Sequence, residues 1–466
     1  VIRVHSRLKG LSKTFSSVSF LFMLLPPFLA AYLLLPGKPP ALRRWLIIAA
    51  SLVFYAWSEG PRTLVPVAVA FAAWLCGILG ASFPRARKAI AATAAVVLLA
   101  VLAVFKYSSF GMPLGISFFT FSALSYIIDT CRDPKLTERN AAKVLLYIIF
   151  FPKLVQGPIA KYRDFAAADG TAQVSAERTC RGIRRFALGL FKKLFIADIL
   201  AIAADRIFAD SGLYTLFLPA WLGAVSYLLQ LYFDFSGYTD MALGLAAMLG
   251  YELPENFRYP YAACGMRDFW RRWHISLSAW FTDYVYIPLG GSRRSRAVTC
   301  RNIMIVFFLT GIWHGSAATF IAWGLLNGVF VMLEHIGVIR ADSPRLRPLI
   351  RIYTALAVTA GFVIFRSPSL GAAGRYLAAM LSPATLGAHE ALEFFDPRFA
   401  VTLLSAAVFA MPVLPTIKKA LSKARYGKRI LRIMNAASYV AVIPVTVLSA
   451  AALAANSYTP FLYARF

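Results

Sequence analysis

The chain has 466 residues, of which 59% are hydrophobic and 15% are charged. This composition, with a mean hydropathy of +0.65, excludes an ordinary soluble globular domain, because so apolar a chain needs lipid as its solvent. The net charge of +28 comes largely from short basic clusters between apolar runs, which is typical of cytoplasmic loops in membrane proteins. We therefore interpret the charge as a topology signal and expect no nucleic-acid partner.

Apolar segments recur along the chain, and many approach the roughly 20 residues that a membrane-spanning helix needs. The clearest are 16–35, 61–81, 89–105, 214–233, 303–333, 351–365, 399–415 and 436–455. Shorter or glycine-interrupted segments are 45–58, 114–128, 144–160, 186–204 and 241–250. The pattern predicts an all-α, polytopic transmembrane helical bundle that forms one domain over 1–466, with about ten to thirteen membrane segments. Re-entrant or interfacial helices are expected near 145–165 and 262–290.

Two carboxylates, Asp234 and Asp240, lie six positions apart in a run that is otherwise uncharged from 214 to 249. Ionisable groups inside a membrane are costly unless they face protein or water. These two could bind cations in a channel or transporter, orient a histidine, or cap a helix broken at Gly237. We expect a mainly structural role, with Asp240 the better placed to reach a functional site.

A histidine accompanies the tryptophan-rich segment 268–281. At helical spacing Trp270, Trp273, Leu277 and Trp280 share one face, and His274 lies beside them. Tryptophan favours the bilayer boundary, so the pattern is typical of an interfacial or re-entrant helix. The histidine is the residue that membrane anchoring does not explain.

A second histidine lies deep in an apolar segment. In 303–338 the ionisable residues are His314, Glu334 and His335, and the last two are near enough to the end to reach the interface. His314 is bracketed by two glycines, which allow the backbone to bend or another group to approach closely. The residues around His314 leave two interpretations open: a structural, hydrogen-bonded histidine or a catalytic base.

The sequence lacks the signatures of several other chemistries. The five cysteines are scattered and have no C-x-x-C spacing, which indicates neither a disulfide framework nor a zinc site. No G-x-S-x-G, G-x-x-x-x-G-K-[ST] or H-E-x-x-H motif occurs, so hydrolase, nucleotide-driven and zinc-protease functions lack support. We expect no metal and no bound cofactor.

Several short motifs occur together in a recognisable order. They are FFPKLVQGPI at 150–159, GLFKK at 189–193, YFDFSGYTD at 232–240, ENF at 255–257, RRWH at 271–274 and GIWHG at 311–315. The combination resembles the membrane-bound O-acyltransferase family and covers most of the chain. The segment YIPLGGSR at 286–293 is most similar to the branch that acetylates bacterial polysaccharides such as alginate and peptidoglycan.

The resemblance implies a fold and a set of site residues. The fold would be a ring of tilted helices around a central funnel or tunnel. The family's catalytic histidine falls on His314, and a second histidine of this branch falls on His274, so the two would meet near the constriction. The same motifs imply that the substrate tunnel is lined by Gln156, Asp234, Asp240, Asn256, Trp273 and Trp313.

The resemblance also implies a reaction in which an acyl group passes from a cytoplasmic thioester, most simply acetyl-CoA, to an extracytoplasmic polysaccharide. A neutral imidazole suits the role of base, since its reference pKa is near 6.5. The expected location is the bacterial cytoplasmic (inner) membrane, with multiple passes in contact with lipid. The expected partner is a separate extracytoplasmic, SGNH-like acyltransferase. Two alternatives stay open: D-alanyl transfer from a carrier protein to a cell-wall polymer, and a transporter or flippase that uses the aspartates.

The carboxy-terminal segment 456–466 is expected to lie outside the cytoplasm. The basic cluster between Lys418 and Arg432 should be cytoplasmic, so the apolar run 436–455 would carry the tail across the membrane. The tail resembles an aromatic carboxy-terminal motif in which a tyrosine accepts the acyl group. We predict this role for Tyr463, with simple anchoring at the membrane interface as the alternative.

Overall fold

The computed structural model describes residues 15–35, 40–169, 174–455 and 461, so the predicted acyl carrier Tyr463 lies outside the described residues. Within these ranges the regular structure is helical, and the extended pairing is limited to one isolated bridge between Phe257 and Trp273. The predicted all-α class is confirmed.

Several helices are long and apolar enough to cross a membrane. Among the described residues six segments meet this condition: Ala41–Ser82, Arg87–Tyr107, Arg296–His314, Ala318–His335, Pro344–Arg366 and Gly427–Ala455. A seventh span would be the pair Pro397–Phe409 and Val413–Ser422, which is bent by 56°. The chain is therefore an integral, multi-pass membrane protein. The larger predicted number of segments and the ring around a funnel stay predictions.

The Cα positions group into two compact units, and the predicted single-domain organisation stays a prediction. The first unit comprises the described residues within 1–190, 237–255 and 439–465. Its helices are α1 (Leu25–Leu33), α2 (Pro40–Glu59), α3 (Leu64–Ser82), α4 (Arg87–Tyr107), α5 (Ile116–Arg132), α6 (Ala141–Ile149), α7 (Phe151–Leu154), α8 (Tyr162–Asp169) and α9 (Ala176–Phe191).

The second unit comprises 191–236 and 256–438. Helices that begin in this part of the chain are α10 (Asp198–Ala209), α11 (Ser211–Tyr214), α12 (Phe217–Met248), α13 (Met266–Trp270), α14 (Ile275–Phe281), α15 (Arg296–His314), α16 (Ala318–His335), α17 (Arg347–Arg366), α18 (Leu370–Ala379), α19 (Ala388–Leu392), α20 (Pro397–Phe409), α21 (Val413–Ser422) and α22 (Gly427–Val440). The helix α23 (Val442–Ala455) returns to the first unit.

In the first unit α3 packs against α4, α5 and α6, and aromatic side chains fill part of the core. The ring of Tyr238 stacks on Phe15 at a centroid distance of 4.9 Å and meets the ring of Phe461 edge-on at 5.1 Å. Phe461 is fully buried, so this one described residue of the carboxy-terminal tail belongs to the core of its unit. The extracytoplasmic location of the tail stays a prediction.

In the second unit α15 and α16 form a close antiparallel pair because glycines line their contact. A Cβ atom at Gly324 would meet the carbonyl oxygen of Phe307 at 2.4 Å, and a Cβ atom at Gly311 would meet the carbonyl oxygen of Phe320 at 2.7 Å. Real Cβ atoms cannot approach so closely without moving the backbone. The glycines therefore allow the approach that places the end of α15 against α16.

Candidate active site

His314 is the last residue of α15, and aromatic side chains enclose its ring. The side chain is 4% exposed. The rings of Trp323 and Phe365 meet the imidazole edge-to-face at 5.0 and 4.9 Å, and the ring of Trp313 lies at 4.5 Å. Edge-to-face contacts are a preferred aromatic geometry, so they fix the orientation of the imidazole. The predicted base thus lies in an apolar, water-poor environment supplied by α15, α16 and α17.

His274 lies in a turn between two short helices, and its backbone is left-handed with φ 45° and ψ 53°. The sequence pattern suggested one continuous helical face from Trp270 to Trp280, but α13 ends at Trp270 and α14 begins only at Ile275. Few non-glycine residues adopt a left-handed backbone, and such residues are often found at functional sites. The turn must be held by its surroundings.

Backbone and side-chain hydrogen bonds from Asn256 hold the turn. The carbonyl oxygen of Asn256 accepts from the backbone N–H of Ile275 at 3.0 Å. Its side-chain Oδ1 accepts from the backbone N–H of Ser276 at 3.0 Å and from the Ser276 hydroxyl at 2.7 Å. The N–H of Arg258 also donates to the carbonyl of Arg272 at 3.0 Å, so one segment braces both sides of His274.

The two histidines contact a common neighbour. The ring of His274 lies 6.4 Å from that of Trp313, which is itself in contact with His314. On its other side His274 meets the ring of Phe235 edge-on at 4.8 Å. Burial lowers the pKa of His274 to about 3, because the charged form would lose its water, so the imidazole is neutral at physiological pH. A shared reacting centre stays a prediction, which this common contact supports.

Trp273 lies in a packed aromatic cluster. It is 1% exposed, and its ring contacts those of Phe257 at 5.1 Å, Phe269 at 5.7 Å and Phe362 at 5.3 Å. This cluster ties the segment before His274 to α13 and α17. Trp273 makes the contacts of a supporting residue, and its place along a substrate tunnel stays a prediction.

Asp234 takes part in a buried ion triad that sequence reasoning did not identify. The Nζ of Lys193 lies 2.8 Å from Oδ1 of Asp234 and 2.8 Å from Oδ1 of Asp198, and the Lys193 side chain is 2% exposed. Buried charges are tolerated when they are paired in this way. The triad fixes α12 at Asp234. The next residue, Phe235, contacts the ring of His274.

Asp240 belongs to a separate network in the first unit. Arg185 donates from Nε to Oδ1 of Asp240 at 3.0 Å and makes two hydrogen bonds to Glu255 at 2.7 and 2.6 Å. A guanidinium that holds two carboxylates is a typical structural arrangement. The expectation that Asp240 reaches the functional site is not tested by these contacts.

Gln156 and its neighbour Lys153 are buried in the first unit. Gln156 is fully buried, and neither atom of its side-chain amide has a hydrogen-bond partner in the described part of the chain. Lys153 donates to the Ser122 hydroxyl at 3.0 Å, and its Nζ lies 4.1 Å above the ring of Tyr147. The lysine was not singled out by sequence reasoning.

Glu334 lies near the end of α16, close enough to reach the membrane interface as predicted from the sequence, and it is 6% exposed within the protein. Its carboxylate accepts hydrogen bonds from the backbone N–H groups of Met266 and Arg267, the first two residues of α13. Its place relative to the membrane interface stays a prediction, and its position along the helix did not reveal that α13 packs there. Glu334 fixes the start of the segment that leads to His274.

The described residues contain no group of three or more His, Cys, Asp or Glu side chains that could hold a metal ion. Two imidazole rings surrounded by tryptophan and phenylalanine are suited to proton transfer in a dry site. The arrangement can accept a proton from a hydroxyl group.

Comparison with known proteins agrees with this chemistry. The family model of the membrane-bound O-acyltransferase family matches residues 89–367, which include both histidines. The chain is 37% identical to the probable alginate O-acetylase AlgI of Azotobacter vinelandii, over 97% of this chain and 100% of that protein. It is 34% identical to the peptidoglycan O-acetyltransferase of Helicobacter pylori, over 69% of this chain and 70% of that protein.

A more distant relative is the teichoic acid D-alanyltransferase of Bacillus subtilis, which is 33% identical over 47% of this chain and 58% of that protein. The family model covers more than half of the chain, and the alginate relative aligns along nearly all of it. The chain belongs to the membrane-bound O-acyltransferase family and is an O-acyltransferase.

Proposed function

We propose that this enzyme transfers an acetyl group from a cytoplasmic thioester, acetyl-CoA in the simplest case, for O-acetylation of an extracytoplasmic polysaccharide. The observation that carries the proposal is His314, buried among aromatic rings, with the neutral His274 in contact with the same tryptophan. The relatives named for acetylation of alginate and peptidoglycan cover 97% and 69% of the chain, whereas the D-alanyltransferase covers 47%. This difference favours acetyl over D-alanyl transfer.

The proposed chemistry uses His314 as the base. Its imidazole removes the proton of an acceptor hydroxyl while the hydroxyl oxygen bonds to the thioester carbonyl carbon. The carbonyl π electrons move to oxygen and then return, which breaks the C–S bond. The leaving thiolate takes the proton from the imidazolium, so the products are an ester and a free thiol. His274 supports the site as a neutral imidazole in contact with Trp313.

Delivery of the acetyl group would need further groups and partners. Tyr463 is the proposed acyl carrier of this enzyme, which would lie in the bacterial inner membrane. A separate extracytoplasmic SGNH-like acyltransferase would complete the transfer to the polysaccharide. Because a tyrosine has a pKa near 10, its phenol is mostly neutral at pH 7 and would need the base to become acylated. A Tyr463→Phe variant with full polysaccharide acetylation would reduce the tail to an anchor.

The transporter alternative is disfavoured by the carboxylates on which it depends. Asp234 is paired with Lys193, and Asp240 is paired with Arg185. A carboxylate that couples transport must bind and release an ion. Both carboxylates here are instead paired with cationic side chains of the protein. Their ion pairs support a structural role.

The deciding experiment supplies purified protein in lipid nanodiscs with radiolabelled acetyl-CoA or, separately, with a D-alanyl carrier protein. Transfer of the acetyl label that is lost in His314→Ala supports the proposal. His389→Ala is the matched control, since His389 is exposed on α19 and should leave the rate unchanged. Turnover with the D-alanyl carrier alone would establish the alternative, and a fully active His314→Ala would remove the mechanism.

A further inference from the structure

The side-chain amide of Asn256 uses one of its two ends in the described part of the chain. Its oxygen accepts the two hydrogen bonds from Ser276. A backbone N–H is always a donor, so this contact fixes which end of the amide is oxygen. The other end, Nδ2, has no hydrogen-bond partner among the described residues.

Burial makes this observation informative. Asn256 is 0% exposed, and buried polar groups in native proteins are nearly always hydrogen-bonded unless they serve another purpose, such as catalysis or contact with a bound group. The structural demand on the side chain is for an acceptor, which an aspartate of the same shape would also satisfy. The NH₂ group is a donor beyond what the turn requires.

The amide is fixed next to His274. Asn256 accepts hydrogen bonds from both residues that follow this histidine, Ile275 and Ser276. His274 contacts Trp313, whose ring also contacts His314. The Nδ2 donor of Asn256 is therefore held rigidly against the segment that carries His274.

We propose that Nδ2 of Asn256 donates a hydrogen bond to the acyl carbonyl oxygen and is a catalytic residue of this enzyme, an inference that rests on the proposed acetyl transfer. When the acceptor oxygen bonds to the carbonyl carbon, the π electron pair moves to the carbonyl oxygen, and the N–H group stabilises that charge. When the C–S bond breaks, the carbonyl re-forms. A donor already held in place stabilises developing charge without reorganising during the reaction.

Two substitutions separate this role from a structural one. Asn256→Asp keeps an acceptor for Ser276 and loses the donor, whereas Asn256→Ala loses both. The proposal expects kcat to fall about 10²–10³-fold in both variants, with a smaller rise in the KM for acetyl-CoA. Both substitutions should also lower the Tm, because Asn256→Ala loses the acceptor and Asn256→Asp buries a carboxylate, so kcat is compared per folded protein. An Asn256→Asp enzyme with near-wild-type kcat would overturn the inference.

Asn302 is a matched control, because it is also 0% exposed but its Nδ2 already has partners. That nitrogen donates to the carbonyl oxygens of Leu289 at 3.3 Å and Gly291 at 3.2 Å. Asn302→Asp should lower the Tm and leave the kcat of the folded protein close to that of the wild type. If Asn302→Asp lowered kcat as much as Asn256→Asp, the loss would reflect general disturbance by a buried carboxylate, and the inference would fail.

One measurement does not depend on whether an Asn256 variant folds. In a His314→Ala protein that cannot turn over, the infrared carbonyl band of bound ¹³C-acetyl-CoA should lie at lower frequency than in buffer. An unshifted band would overturn the inference. An active His314→Ala enzyme would instead contradict the proposed function, whereas normal turnover by Asn256→Asp beside an inactive His314→Ala would remove only the role of Asn256.

Discussion

The two histidines of the candidate site are held in different ways. His314 ends a helix of 19 residues and is fixed by aromatic packing. His274 lies between helices of five and seven residues, in a left-handed turn fixed by hydrogen bonds from Asn256. Packing tolerates changes that conserve volume, whereas a hydrogen-bonded turn fails when a buried donor or acceptor is lost.

The two histidines therefore depend on different interactions, and a substitution that weakens the support of one need not weaken the support of the other. The support of His314 is aromatic packing from α16 and α17, together with the close approach of Gly311 to the backbone of Phe320. The support of His274 comes from distant segments, including the carboxylate of Glu334 at the start of α13. Substitutions around each histidine should therefore change different observables.

The largest expected effect is on the reaction rate. Replacing His314 by Ala should lower the turnover of acetyl-CoA by about 10²–10⁴-fold, because the proposed base is lost. His274→Ala should cause a large but smaller loss, since water can partly replace a supporting residue. Radiolabel transfer measures both rates, and His389→Ala provides the baseline. A greater loss from His274→Ala would reverse the assignment of the two roles.

Sequence reasoning identified what local pattern encodes. Long apolar runs predicted the all-α membrane class, which depends only on composition and period. His314 was singled out because an ionisable group in the middle of an apolar segment needs a reason, and the adjacent glycines indicated a close approach that Gly311 indeed makes. These properties need no knowledge of distant contacts.

The remaining features depend on segments far apart in the chain. Lys193 meets Asp234 across 41 positions, and Glu334 meets Met266 across 68. The left-handed turn at His274 arises because Asn256 bonds to the start of α14, while the residues from Trp270 to Trp280 by themselves favour a continuous helix. No local periodicity contains this information.

The next effect tests the distant support of His274. Glu334→Ala should lower the free energy of unfolding by about 1–3 kcal/mol, because the buried N–H group of Met266 and the partly buried N–H group of Arg267 lose their acceptor. Glu334→Gln keeps one acceptor oxygen and should lose less. Thermal unfolding in nanodiscs measures the difference. If Glu334→Ala and Glu334→Gln were both as stable as the wild type, the Glu334 carboxylate would not stabilise the start of α13.

A pH dependence follows from the burial of His274. Its pKa is lowered to about 3 in the folded protein, whereas an unfolded histidine titrates near 6.5. The folded state is therefore fully stable above about pH 6.5 and loses stability as the pH falls toward 3, since the unfolded state binds the proton first.

The expected loss between pH 6.5 and pH 5 is up to about 2 kcal/mol. His274→Asn cannot titrate and tolerates a left-handed backbone, so its Tm should change less over the same range. Parallel Tm profiles for the two proteins would contradict the assignment of this pH dependence to His274.

The smallest effect isolates the backbone of the turn. His274→Gly and His274→Ala both remove the imidazole and leave similar space, but only glycine adopts φ near 45° without strain. A left-handed backbone costs an L-residue about 1–2 kcal/mol, and the greater freedom of unfolded glycine offsets about 0.4–1 kcal/mol of that advantage. The Gly variant should therefore be the more stable of the two by roughly 0.5–1 kcal/mol, although both lose activity. Thermal unfolding of the two variants side by side measures this difference. An Ala variant as stable as the Gly variant would mean that the turn relaxes once the imidazole is gone, and that the ring itself, through its contacts with Phe235 and Trp313, holds the backbone in place.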